Sequence, residues 1–140
     1  MDARAYALPA LAMALLTFAV WLRLFFTRIP EMKRERIHPQ SIALSAQAAT
    51  RLSDTRAADN FRNLFELPVL FYAALLFGGW LAIDSPAFLL LAWLFVALRV
   101  AHSVIHCGYN KVMHRFYAYA AGGWVLWAMW ALIGWRLLSR

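Results

Sequence analysis

The sequence predicts an all-α fold, a four-helix transmembrane bundle, and three observations carry that reading. Hydrophobic residues make up 64% of the 140-residue chain and charged residues only 15%, a balance that a soluble domain of this size could not cover with polar surface. Four stretches, near Ala7 to Phe26, Leu64 to Ile83, Ala87 to Cys107 and Phe116 to Leu138, come close to or exceed the roughly 20 apolar residues needed to cross a bilayer core. Helix breakers and turn formers fall between them: Pro30 and Pro39, then Asp84-Ser85-Pro86, then Gly108-Tyr109-Asn110. Residues 1–140 therefore read as a single integral membrane domain, with helices over about 7–27, 57–83, 87–107 and 114–138 and a cytoplasmic loop over about 28–56.

The first stretch exceeds the hydrophobic part of a signal peptide and lacks a basic start followed by a small-residue cleavage site, so it reads as a retained helix. Pro30 is expected to stop it, because a proline ring and its missing N–H do not suit a helix interior. The segment from Glu31 to Thr55 is polar and alanine-rich and reads as a partly helical loop, with Ser53 or Asp54 available to cap a second helix that starts before the membrane. Asp84-Ser85-Pro86 makes a tight turn to the third helix, and Gly108-Tyr109-Asn110 reverses the chain into the fourth.

Basic residues set the orientation, since cytoplasmic loops carry the excess of Lys and Arg. The first connection holds Arg28, Lys33, Arg34, Arg36, Arg51, Arg56 and Arg62, and the third holds Lys111 and Arg115; the second has none. Both termini are expected to face away from the cytoplasm. The net charge of +7 is then a topology signal, reinforced by anionic lipid headgroups, and gives no reason to invoke a nucleic acid. Trp80, Trp124, Trp127, Trp130 and Trp135 suit interfacial anchoring or helix packing. The single cysteine, Cys107, excludes an intrachain disulfide and a cysteine-rich metal cluster.

Ionisable side chains inside a spanning helix cost roughly 2.5–3.5 kcal/mol on insertion scales and normally face a bundle interior or a wet cavity. Several occur here, and helical spacing sorts them into stripes. On the second helix Asp59, Asn63 and Glu66 recur at spacings of four and three, with Arg62 on the flank; on the third, Arg99, His102 and His106 recur at three and four; on the fourth, Arg115 and Tyr119 are four apart. The reversal at Gly108 to Asn110 returns Arg115 to the level of His102 and His106. This set suits a small zwitterionic ligand: Glu66 can hold an ammonium, Arg99 and Arg115 carboxylates, and Asn63 peptide groups. A blander reading leaves Glu66 and Arg99 neutralising each other inside the bundle. His102 and His106 could also ligate a metal, but only Glu66 is an obvious third ligand, and their place on one helix is wrong for two axial ligands of a haem; no metal site is assigned.

The run Arg62-Asn63-Leu64-Phe65-Glu66-Leu67-Pro68, then Arg99-Val100-Ala101-His102, then Arg115 and Tyr119, resembles the membrane-associated proteins in eicosanoid and glutathione metabolism, the MAPEG family. The resemblance extends over most of the chain and implies a four-helix protomer in a homotrimer. It also implies glutathione as co-substrate, folded in a U-shape between subunits near the cytoplasmic face. On this basis Arg62, Asn63, Glu66, Arg99, His102, His106, Arg115 and Tyr119 form the glutathione set. Arg28 resembles the arginine that the family brings to the thiol from an adjacent subunit, with Arg115 the other residue placed to favour thiolate. The second substrate would be a lipophilic electrophile arriving through the bilayer. Asp59 stands where many eukaryotic members have arginine, with Arg62 or Arg56 as a substitute charge, and His106 where they often have tyrosine. Phe116 stands where some prostaglandin-synthesising members have a hydroxyl residue. The chain is more similar to the prokaryotic branch, which implies a bacterial inner membrane. Two functions stay open: a glutathione transferase or peroxidase, and a non-enzymatic scaffold or partner-binding subunit.

Overall fold

Residues 3–139 are described by a computed structural model. Helix α1 runs Ala3–Arg34, and a 3-10 turn Pro39–Ile42 and the short helix α2 (Ser45–Arg51) follow. Helices α3 (Arg56–Asn63), α4 (Leu67–Trp80), α5 (Pro86–Cys107) and α6 (Val112–Leu138) complete the chain. The fold is all-α. Four segments are long and apolar enough to cross a membrane: Arg4–Arg34, Arg56–Trp80, Pro86–Cys107 and Val112–Leu138.

Pro30 does not end the first helix. It lies inside α1 on an exposed face, where the carbonyl it leaves unpaired can be hydrated and the ring accommodated by a bend. The terminator is Arg36, in the left-handed region at φ 53°, with the Ile37 N–H closing back on the Met32 carbonyl at 2.9 Å. Glu31, buried on the last turns of α1, accepts the backbone N–H of Ser53 and so ties the loop to the helix. Neither Ser53 nor Asp54 is the N-cap of α3, which is Thr55 without a side-chain cap hydrogen bond; Asp54, one residue earlier, accepts the Arg56 N–H at 3.1 Å and the Arg56 Nε at 2.8 Å. That guanidinium holds the Asp54 carboxyl below the usual carboxylate range.

The second predicted helix is two helices. Pro68 has no N–H to return to Leu64, and its ring would crowd that carbonyl, so the chain tightens at 64–66 and restarts with Pro68 in the first turn of α4. The bonds there shorten in register, Phe65 N–H to Arg62 at 2.9 Å and Glu66 N–H to Asn63 at 3.4 Å. Glu66 becomes the N-terminal flank of α4 at φ −94°, ψ −104°, and the regular stripe drawn through Asp59, Asn63 and Glu66 ends at Asn63.

Inside the bundle, Met13, Phe71, Phe88, Phe95, Leu126 and Met129 are fully buried, with Phe71 and Phe95 stacked at 4.5 Å. Leu15, Leu76, Trp80, Leu90 and Trp124 face outward, as hydrocarbon solvent permits. A polar knot joins three helices: Asn60, with no exposed surface, donates to Cys107 Sγ at 3.4 Å and accepts from Ser103 Oγ at 3.4 Å. Arg23 on α1 donates to the Cys107 carbonyl at 2.7 Å, and Arg56 donates to that of Gly108. Two guanidiniums thus meet the negative end of α5. Where α4 crosses α5, a Cβ on Gly78 would lie 2.7 Å from the Phe88 ring. Gly78→Ala should therefore lower stability by about 1–3 kcal/mol through overpacking; thermal unfolding in detergent at the wild-type temperature would contradict this packing.

Candidate functional site

Tyr119, on the first half of α6, makes more of the site's contacts than any charged group. Its hydroxyl donates to Glu66 Oε2 at 3.3 Å, and its carbonyl accepts from Arg99 Nη2 at 3.2 Å. Its ring centroid lies 4.7 Å from the Arg99 guanidinium carbon and 5.7 Å from the His102 ring. Glu66 and Arg99 thus meet through Tyr119 rather than as an ion pair. This matters because Arg99 is 1% exposed and its Nε and Nη1 have no hydrogen-bond partner. Aromatic faces, Tyr119 on one side and Phe95 at 5.5 Å, offer a cation some compensation, worth about 2 kcal/mol when desolvated, against a larger cost of burying an unpaired charge. Gly122 makes room for the group: a Cβ there would lie 3.2 Å from Nη2 and 3.4 Å from Nε.

Asn63, His102, Arg115 and Tyr119, with Val112 and Phe116, line one cleft of about 270 Å³ between α3, α5 and α6. Asn63 donates Nδ2 to the Asp59 carbonyl at 3.0 Å, leaving its amide oxygen for a ligand. His102 lies 3.1 Å through Nδ1 from the Arg115 carbonyl. A carbonyl can only accept, so Nδ1 carries the proton and Nε2, buried without a partner, is the acceptor a ligand would meet. His106 packs edge-on against His102 at 5.4 Å, and its own Nδ1 is buried and unpartnered. Arg115 extends Nη1 to Asn110 Oδ1 at 2.7 Å.

Arg28 and Arg62 lie elsewhere. They line a separate cavity of about 220 Å³ with Leu24, Leu44, Ala48 and Phe61, and Arg62 pairs with Asp59 at 3.4 Å. Within one chain, then, six of the sequence-selected residues gather around Tyr119 and two do not. Asp59 is likewise engaged locally, by Thr55 Oγ1 at 2.9 Å. Among the described residues no group of three His, Cys, Asp or Glu side chains could hold a metal ion. Sequence reasoning missed two residues that shape the site, Gly122 and Asn110. Gly122 carries no signal apart from its small size, whereas Asn110 stood in plain view as a turn former.

A family model described as the MAPEG family matches residues 6–135, a span that includes the cleft and every candidate site residue. The chain belongs to the MAPEG family. No curated protein and no solved structure gives a significant match. Membership in the MAPEG family supports a membrane role in glutathione chemistry in general terms.

In and beside the cleft, guanidinium donors (Arg99, Arg115), an imidazole nitrogen (His102), an amide (Asn63) and a carboxylate (Glu66) lie around Tyr119, a set with hydrogen-bonding capacity for both signs of charge. The Arg99 packing gives a direct test. Gly122→Ala should displace a guanidinium wedged between two rings, lowering thermal stability by about 1–2 kcal/mol; an unchanged unfolding temperature would mean that Arg99 relocates without cost.

Proposed function

We propose that this protein is a membrane-bound glutathione transferase or peroxidase that acts on a lipophilic electrophile through an arginine-stabilised thiolate. The observation that carries the reading is the gathering of Asn63, His102, Arg115 and Tyr119 in one cleft, beside an Arg99 whose Nε and Nη1 are buried without partners. Buried polar atoms without partners are rare in folded proteins and expensive, and these two belong to the guanidinium that packs over the ring of Tyr119, a residue of the cleft. A ligand supplying carboxylate and peptide oxygens would satisfy them.

Glu66 would hold the ammonium, its position fixed by the Tyr119 hydroxyl, while Arg99 and Arg115 bind negative charge. A guanidinium beside the sulfur favours thiolate, the reactive form. In transfer, the sulfur–carbon bond forms as the bond to the leaving group breaks, and the leaving group departs with the electron pair. In peroxide reduction, the thiolate attacks the terminal oxygen, the O–O bond breaks, and the alkoxide takes a proton from water. A second glutathione then converts the sulfenic acid to disulfide and water. The electrophile enters from the bilayer, which Phe116 and Val112 at the cleft would admit.

A cleft of about 270 Å³ lies below the usual 300–1,000 Å³ of small-molecule sites. A homotrimer in which a neighbouring chain closes the cleft would complete it, and would bring Arg28, which in its own chain lines a different cavity, within reach of the thiol. Both termini would face away from the cytoplasm, with the basic loop inside, in a bacterial inner membrane. Calorimetry on detergent-purified protein tests the reading. Glutathione should bind saturably, Glu66→Gln should weaken binding at least tenfold, since a charge-assisted contact contributes about 1.5–3 kcal/mol, and Arg115→Ala should lose the ultraviolet absorbance of bound thiolate. No binding at millimolar glutathione would retire the proposal in favour of a scaffold or partner-binding subunit.

A further inference from the structure

The turn between α5 and α6 contains Asn110, whose backbone lies in the left-handed region at φ 50° and whose N–H closes on the Ile105 carbonyl at 2.8 Å. Gly, Asn and Asp occupy that region most readily, so the turn favours these residue types before any chemistry is considered. Among the three, Asn alone offers a neutral side-chain acceptor, and the structure uses it: Arg115 Nη1 donates a hydrogen bond to Asn110 Oδ1 at 2.7 Å. The Arg115 carbonyl is meanwhile held by His102 at 3.1 Å. Both ends of the arginine are thus fixed from the α5 side, by the turn and by the helix.

We infer that Asn110 is a positioning residue for Arg115, aiming the guanidinium into the cleft while leaving its charge undiminished for the ligand's sulfur. This inference rests on the glutathione reading of the same site. Gly at this position would keep the turn and release the guanidinium. Asp would keep the turn and the contact, but its carboxylate would neutralise the charge that the thiolate needs. A contact serving only the fold would not distinguish amide from carboxylate in this way, since both accept the same hydrogen bond.

Three proteins separate these roles: wild type, Asn110→Gly and Asn110→Asp, each purified in detergent. Two readouts are taken. The first is the rate at which phenylglyoxal modifies Arg115 without ligand, followed by mass spectrometry; it should rise several-fold in Asn110→Gly, and an unchanged rate would overturn the positioning role whatever the protein binds. The second is the thiolate absorbance per bound glutathione at neutral pH. It should fall several-fold in both variants, as a rise of about one to two pKa units in a thiol that is mostly thiolate at neutral pH produces, while Asn110→Asp still binds glutathione. Full thiolate signal in Asn110→Asp would overturn the need for a neutral acceptor. Absence of glutathione binding by wild type would instead sink the glutathione reading, leaving the phenylglyoxal result to decide the positioning contact alone.

Discussion

The site is organised around a cation buried in a membrane bundle that forms no direct ion pair among the described residues. Arg99 sits on α5 among apolar side chains, its guanidinium between the faces of Phe95 and Tyr119, with one hydrogen bond to a carbonyl and two nitrogens without any. Such a group is costly in hydrocarbon, and its neighbours are arranged to tolerate it rather than to neutralise it. Gly122 gives it space, and Tyr119 supplies both a π face and a carbonyl. The same tyrosine turns its hydroxyl to Glu66, so the acidic and basic halves of the site are kept apart by one aromatic ring. A fold that only needed stability would bring Glu66 and Arg99 together or replace both with apolar residues.

Two backbone features set the depth at which these groups meet. Pro68 breaks the second span, which frees Glu66 from the helical ladder and leaves Asn63 as the last residue of α3, facing α6 across the cleft. The reversal at Gly108 to Asn110 brings α6 back alongside α5, so that Arg115 and Tyr119 fall at the level of His102 and Arg99. Outside the cleft, Arg23 and Arg56 on the last carbonyls of α5, and the buried Asn60 beside Cys107, hold α1, α3 and α5 in register at that end. Polar bonds of this kind between helices are worth on average about 0.6 kcal/mol each in membranes; their role is to fix the register on which the cleft depends.

Composition and stretch length made the fold class legible, because lipid allows few alternatives to helices. The stripes on α5 and α6 were also legible, since both helices are regular through Arg99, His102, His106, Arg115 and Tyr119 and a period of 100° per residue holds. Extending the same rule to Glu66 failed where Pro68 ends the ladder, and that proline was visible as a break signal in the run Phe65-Glu66-Leu67-Pro68. At Pro30 the proline rule erred in the other direction. Near a helix end on an exposed face its penalty is small, and Glu31 binding the Ser53 N–H adds a tertiary contact that no local pattern contains. Which arginines share the cleft was not legible either: Arg28 and Arg62 carry the same charge as Arg115, and only the packing of α1, α2 and α3 assigns them to another cavity.

The central claim is that Arg99 is kept charged and under-satisfied for a ligand and not for the fold. The most direct test is the thermal unfolding of Arg99→Met in detergent with and without glutathione, since methionine keeps much of the apolar stem while removing the charge. The variant should unfold at or above the wild-type temperature without ligand and should lose the rise that glutathione gives wild type. A variant that unfolds well below wild type yet is still stabilised by glutathione would show that the guanidinium holds the bundle together, and would contradict the account.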